Sequence, residues 1–346
     1  MTRIRIQVLA LVALSSTLTY AQQDNKKGYL TGSFETNTIY YKDDSKTKAE
    51  SPEDHFGSNN YLKLDYYQGK FAVGVQLEAY EPVLVGYPTE LEKAKLTYYY
   101  VSWADKDFSV TAGTFYEQFG SGLLFRSWED RMLGLNNAVM GARFTYNYKN
   151  IVRLKAIWGT PRFGMDFSDT QVRGVDVSFS LSEMLSWQNT SLSIEGGALN
   201  RYEKINIDLE EEGGKPYSNG FSGRVNFERS GFTAKGEYVD GGNKYYNFIH
   251  DDKLYARKRA QLLELGYSGN GLGVNLTGRR LEWMNSEIIA GNGSTSNLLN
   301  YVPAMSTQYT YMLTNLHPHT PQIGDVTNAV SGEMGGQLDV FYHFKR

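Results

Sequence analysis

The chain has no cysteine, 8 prolines among 346 residues, and after its first twenty residues no apolar run long enough to cross a bilayer as a helix. Without cysteine there can be no disulfide framework and no thiolate nucleophile or metal ligand. Scarce proline suits a protein made of many paired strands, because proline cannot donate to a ladder. Histidine is also sparse, at five residues, and the close pair His317-Pro318-His319 fits no zinc or iron spacing. There is no Gly-x-Ser-x-Gly elbow and no constellation for nucleophilic or acid–base chemistry, so no enzyme activity, cofactor or metal is expected. The formal charge is −3, which leaves no basic excess for nucleic acid. The acidic groups Asp43-Asp44, Asp251-Asp252 and Glu210-Glu211-Glu212 read as solvated loop charge, with weak calcium binding at the aspartate pairs as the alternative. Gly269-Asn270-Gly271-Leu272-Gly273 lacks a following helix and fits a hairpin turn better than a phosphate loop.

Abundance lies elsewhere, in 26 tyrosines and 35 glycines. The first residues have the order of a secretory signal. Arg3 and Arg5 precede an apolar run from Ile6 to Leu14, and Thr19-Tyr20-Ala21 places small residues before a cut at Gln22. Residues 1–21 are therefore expected to be a signal peptide, and 22–346 a single β domain.

That domain alternates with period two. In 151–158, Val152, Leu154, Ala156 and Trp158 share one face, and Arg153 and Lys155 the other. In 175–182, Val175, Val177, Phe179 and Leu181 oppose Asp176, Ser178, Ser180 and Ser182. In 221–228, Phe221, Gly223, Val225 and Phe227 oppose Ser222, Arg224, Asn226 and Glu228. Alternation does not say which face points inward. A soluble sandwich buries the apolar face, whereas a membrane barrel turns it to lipid and keeps the polar face in a lumen.

The connections favour the barrel. About fourteen strands are expected, and short turns (68–70, 104–107, 149–150, 184–189, 229–231, 269–271) alternate with long loops (42–58, 82–93, 117–140, 161–172, 204–218, 241–255, 285–332). Up-and-down strands through an outer membrane give this rhythm, with both chain ends on the periplasmic side. Tyr40, Tyr41, Tyr98, Tyr99, Tyr100, Trp103, Tyr146 and Tyr148 are expected in interfacial girdles, with ordinary cross-strand pairing as the alternative.

Two long loops stand out. FGSGLLFRSWEDRMLG (119–134) sets Arg126, Glu129, Asp130 and Arg131 among aromatics and glycines. Arg126 lies at i, i+3 from Glu129 and i, i+4 from Asp130, so one helical turn would gather them into a charged constriction inside the lumen. The alternative is a solvated ion-paired turn on the outer rim. Loop 285–332 is unusually apolar, and Leu298, Leu299, Tyr301, Met305, Tyr309 and Tyr311 are candidates for a lid or plug. The alternative there is an unrecognised strand near 307–314.

FYEQFGSGLLFRSWEDRMLG, with YVPAMSTQYTYML (301–313) and GEMGGQLDVFYHFKR (332–346), resembles an uncharacterised family of outer-membrane β-barrel proteins from Bacteroidota. The resemblance covers the whole mature chain. It implies an all-β, transmembrane, antiparallel up-and-down β-barrel with a loop folded into the lumen. It also implies further strands after Arg346, so that this chain is a truncated form. The expected location is the outer membrane. The expected partners are its lipid, the outer-membrane assembly machinery and a small solute, with no nucleic acid. The expected role is a channel or passive transporter. The alternatives are a transporter of hydrophobic solutes and a non-transporting barrel of a surface or secretion complex.

Overall fold

A computed structural model describes residues 27–87, 91–132, 134–203, 216–250, 253–284, 286, 288, 298–301 and 332–344, with the side chains of 243–250, 253–256 and 332–333 left aside. Residues 1–21, the expected signal peptide, lie outside these. In chain order the strands are β1 (Tyr29–Tyr40), β2 (Phe56–Gln68), β3 (Phe71–Tyr80), β4 (Ala94–Ala104) and β5 (Phe108–Phe115). Four two-residue strands come next: β6 (Gln118–Phe119), β7 (Phe125–Arg126), β8 (Glu129–Asp130) and β9 (Leu135–Asn136). Then come β10 (Val139–Tyr148), β11 (Val152–Phe163), the short β12 (Asp166–Phe167), β13 (Gln171–Ser180), β14 (Thr190–Tyr202), β15 (Tyr217–Arg229), β16 (Phe232–His250), β17 (Lys253–Gly269), β18 (Leu272–Glu282) and β19 (Gly332–Tyr342). The single helix among the described residues, α1 (Leu181–Met184), is one turn long, and the Ser180 hydroxyl accepts from the Glu183 amide at its start.

Leaving out the five short pieces, fourteen long strands form one antiparallel sheet in up-and-down order, each hydrogen-bonded to the next. This is the all-β meander that the loop rhythm predicted. Tight connections gather at one end, where the chain enters at Tyr29 and leaves at Tyr342: Tyr29 pairs with Tyr67, and Tyr342 with Leu272. The long loops gather at the other end.

One expected loop is not a loop. Residues 241–250 and 253–255 extend β16 and β17 into a long hairpin, with a register shift between Asp240 and Gly242. Gly242 has φ +75°, which lets a bulge re-aim the strand while pairing continues. Its polar composition resembles a loop because it rises past the level where one face must be apolar.

The faces are inverted relative to a soluble protein. Paired residues share a face, so Val152, Phe179, Ile194 and Val225 form one outward row across β11, β13, β14 and β15. Phe179 is 50% exposed and Val225 46%. The adjacent inward row is Ser178, Glu195, Arg224, Glu237, Leu262 and Arg279. On that face Arg224 is 5% exposed and Asp176 7%. A sandwich core would reverse these values.

The aromatic expectation is corrected in part. Tyr99, Trp103 and Tyr148 face outward, and Trp103 and Phe108 stack with ring centroids 4.8 Å apart near the tight-turn end. Tyr98 and Tyr100 instead oppose Gln76 and Gly74 on the inner face, because a bulge between Gln76 and Leu77 resets the phase of β4.

The inner face is concave. Glu78 of β3 reaches Arg162 of β11 directly although β4, β5 and β10 lie between them in the sheet. Among the described residues β1 and β19 are not paired with each other, so the ladder has an open seam where a closed barrel was expected.

Candidate functional site

The concave face is occupied. After β5 the chain turns inward, and Phe119, Leu123, Leu124 and Phe125 are buried with Phe115, Val139, Ile157, Val172, Val239, Ala260 and Leu281 of the surrounding strands. The wall makes room for them. A Cβ on inward Gly174 of β13 would meet the Phe119 ring, and Cβ atoms on Gly197 of β14 and Gly220 of β15 would meet the Leu124 methyls. Gly120 (φ +55°) and Gly122 (φ +95°) permit the sharp reversal between β6 and β7.

Polar groups anchor the base of this plug. Lys155 of β11 donates to Glu117 Oε1 at 2.8 Å and to the Gln118 carbonyl at 3.0 Å. Arg143 of β10 donates to the Tyr116 carbonyl at 3.2 Å. The Ser121 amide donates to Glu237 Oε2 at 3.3 Å. Below, Arg224 binds Asp176 at 2.5 Å and Glu195 at 2.9 Å. The interior on the tight-turn side of the plug is therefore polar. A cavity of ≈ 490 Å³ lies against β16–β19, with Lys235, Glu264, Thr277 and Asp339 in its lining.

The four charged candidates are brought together in a different way from the helical turn expected of them. Glu117–Asn137 forms small hairpins: β6 pairs with β7, and β8 with β9. An extended chain puts residues four apart out of mutual reach, so Arg126 does not find its partners at Glu129 and Asp130. Its guanidinium carbon instead lies 4.2 Å from the centre of the Trp128 ring and 4.3 Å from that of Tyr301. Glu129 and Arg131 do pair, at 3.3 Å. Arg131 also reaches Glu35 of β1 at 2.6 Å and Gln76 of β3 at 3.4 Å, and lies 4.2 Å from the Tyr61 ring centre. Asp130 Oδ1 accepts from the Met132 amide at 3.0 Å, closing the tip of the hairpin.

The two loops singled out in the sequence are parts of one structure. The Arg126 amide donates to the Leu299 carbonyl at 2.8 Å, and the Tyr301 amide to the Gly122 carbonyl at 2.9 Å. Asn137 Nδ2 donates to the Leu298 carbonyl, and Asn300 Nδ2 to the Leu123 carbonyl at 3.3 Å. Leu299 joins the buried cluster with Met284 and Ile288. Leu298, Leu299 and Tyr301 therefore knit the described part of the last long loop into the plug. Met305, Tyr309 and Tyr311, and the strand considered near 307–314, lie outside the described residues.

Sequence reasoning missed the Glu78–Arg162 pair. Both terminal Arg162 nitrogens donate to the carboxylate, at 2.8 and 2.7 Å, and Thr97, Gln76 and Tyr80 complete its shell at 2.7, 2.9 and 3.3 Å. Both residues are almost fully buried. The pair borders a second cluster of Tyr61, Tyr80, Leu91 and Met165, since Tyr80 donates to Glu78 and Arg162 Nη2 lies 3.3 Å from the Met165 sulfur. The alternation gave no signal for Arg162, which shares the phase of outward Trp158, and Glu78 falls at inward phase as many other charges here do.

The full chain, residues 1–346, matches the model described as "Family of unknown function (DUF6029)". The chain belongs to this family. Among curated proteins no sequence matches it. Among solved structures the chain is similar to OccK8 (OprE) of Pseudomonas aeruginosa, at 13% identity and TM-score 0.34, covering 75% of this chain and 84% of that one. It is also similar to OccAB4 of Acinetobacter baumannii, at 9% identity and TM-score 0.35, covering 74% and 82%. A BenF-like porin from Pseudomonas fluorescens Pf-5 gives 12% identity and TM-score 0.34, covering 75% and 83%. These likenesses are too distant to bear on how the interior of this family member works, which its own side chains must decide.

Proposed function

We propose that this protein is an outer-membrane β-barrel channel for small polar solutes, narrowed by a plug that 116–132 and 134–138 build together with Met284, Ile288 and 298–301. The observation that carries this reading is the inversion of faces: Phe179 and Val225 point out while Asp176 and Arg224 are enclosed. An apolar outer wall costs free energy in water and is stabilised in lipid. In a bilayer core the unpaired edges of β1 and β19 would leave backbone groups without partners. The two strands run antiparallel and share the same two ends, so the reading has them meet in the membrane.

A polar-solute channel fits better than a hydrophobic one. Leu299 and its apolar neighbours pack the plug, and the cavity on its tight-turn side sets Lys235, Glu264, Asp339 and the Thr233 and Thr277 hydroxyls beside Leu262, Leu265, Leu276 and Phe341. The charged knot acts by tying the plug to the wall, through Arg131 to Glu35, and by tying its two segments together, through Arg126 to Tyr301.

The test is conductance of the purified chain in planar bilayers. Wild type is expected to give small steps, and a chain with 119–134 replaced by a short Gly-Ser linker larger ones. Absence of conductance from both would overturn the channel. Sedimentation with the outer membrane and heat-modifiable migration on a gel test the location separately.

A further inference from the structure

Five tyrosines run down the inner wall on the β1–β5 side, from the base of the plug to the tight-turn mouth. Tyr116 follows β5. Its ring stacks on that of Tyr98, with centroids 5.4 Å apart and planes at 18°. Tyr98 meets Tyr100 edge-on at 5.8 Å. Tyr67 neighbours Tyr100 and stacks on Tyr29 at 5.0 Å. Inward Gly74 makes space for the Tyr100 ring, where a Cβ would collide with it.

These rings are only partly covered. Tyr67, Tyr98, Tyr100 and Tyr116 are half-buried and Tyr29 is exposed, so each presents surface to the interior. Rings that served packing alone would be closed over, as Tyr61 and Tyr80 are. Polar groups border the file. Asp65 Oδ1 accepts from the Tyr100 hydroxyl at 3.0 Å, and the Tyr116 hydroxyl donates to Asn136 Oδ1 at 3.2 Å.

Each carboxylate beside the file already has a basic partner, with one guanidinium serving two of them. Asp65 has Lys63 at 3.6 Å, Glu35 and Glu129 share Arg131, and Glu117 has Lys155. A charged solute would have to compete with one of these partners. An uncharged solute with alternating C–H faces and hydroxyls would displace none: its faces cover rings and its hydroxyls meet the carboxylate, amide and phenol oxygens between them.

We propose that this tyrosine file is a binding path for neutral oligosaccharides. The proposal rests on the channel reading and names its solute class. Several weak ring sites in series suit passage, because each holds the solute long enough to hand it to the next without trapping it.

The experiment titrates maltohexaose against the ion current of the reconstituted full chain. Reversible block is expected. Tyr98→Ala and Tyr29→Ala should each weaken it about tenfold, while Tyr98→Phe, which keeps the ring, should block like wild type. A channel that conducts but shows no block overturns the saccharide path and leaves the channel standing. Block that both alanine variants leave unchanged overturns the file, and stronger block by choline than by sugar makes it a cation path instead. If the chain does not conduct, calorimetric titration of the detergent-solubilised protein with maltohexaose decides the matter independently. Binding heat lost in Tyr98→Ala supports the file, and no heat from wild type overturns it.

Discussion

Arg162 and Glu78 face each other across the concave interior and share two parallel hydrogen bonds of 2.8 and 2.7 Å, although three strands of the sheet separate their own. The pair bridges the β3–β11 arc. Removing one partner leaves a buried charge unmatched, a loss of about 3–5 kcal/mol. Glu78→Ala or Arg162→Ala should therefore lower the temperature at which the folded band disappears in gel-shift melts. The double variant Glu78→Leu/Arg162→Met should recover most of that loss, because apolar groups of similar volume need no counter-charge. A double variant no better than the singles would mean that hydrogen-bond geometry, not charge neutralisation, sets the cost.

Arg126 between Trp128 and Tyr301 joins the two halves of the plug. A cation between two rings gains on the order of 1–2 kcal/mol. Arg126→Ala should loosen residues 298–301 from the hairpin and raise single-channel conductance. Arg126→Lys should fall in between, because an ammonium keeps the charge but loses the stacking plane. Conductance identical to wild type in both variants would show that the backbone pairing at Gly122, Leu299 and Tyr301 suffices.

Steric fit between wall and plug can be tested by exchange. A Cβ on Gly220 would approach Leu124 Cδ1 to 2.8 Å. Gly220→Ala should disturb the plug while leaving the strand pairing intact, and adding Leu124→Ala should restore wild-type conductance by vacating the contested volume. If Gly220→Ala alone is silent, the plug has slack at this point.

The seam between β1 and β19 offers a clean chemical test because the chain has no native thiol. Ser33 and Gln337 both lie on the inner face. The proposed closure of the edges in membranes predicts that Ser33→Cys combined in turn with Gly335→Cys, Gln337→Cys or Asp339→Cys gives an oxidative cross-link in one combination. No cross-link in any of the three would mean that the edges are satisfied in another way.

Much of the wall was legible in the sequence. Period-two alternation located the strands, and the order of short and long connections gave an up-and-down sheet, because hydrogen-bonded neighbours in such a sheet are neighbours in sequence. Residues 241–255 were misread as a loop since apolar alternation marks only the part of a strand that needs an apolar face. Tyr98 and Tyr100 were misplaced because one bulged residue at Thr97 shifts the phase of everything after it, and no composition signal marks a bulge. The charged knot was recognised as exceptional, but its spacing was matched to a helix. The deciding contacts come from Leu299 and Tyr301, more than 160 residues away along the chain.

The sequence by itself determined the strand count, the polarity of the two faces and the end at which the long loops gather, because these depend on local periodicity and chain order. Only the tertiary structure decided that both unusual loops form one plug, that Arg162 finds Glu78 and that tyrosines line one side of the interior. Each of those depends on the curvature of the sheet, which brings distant inward side chains within reach and is written in no single segment.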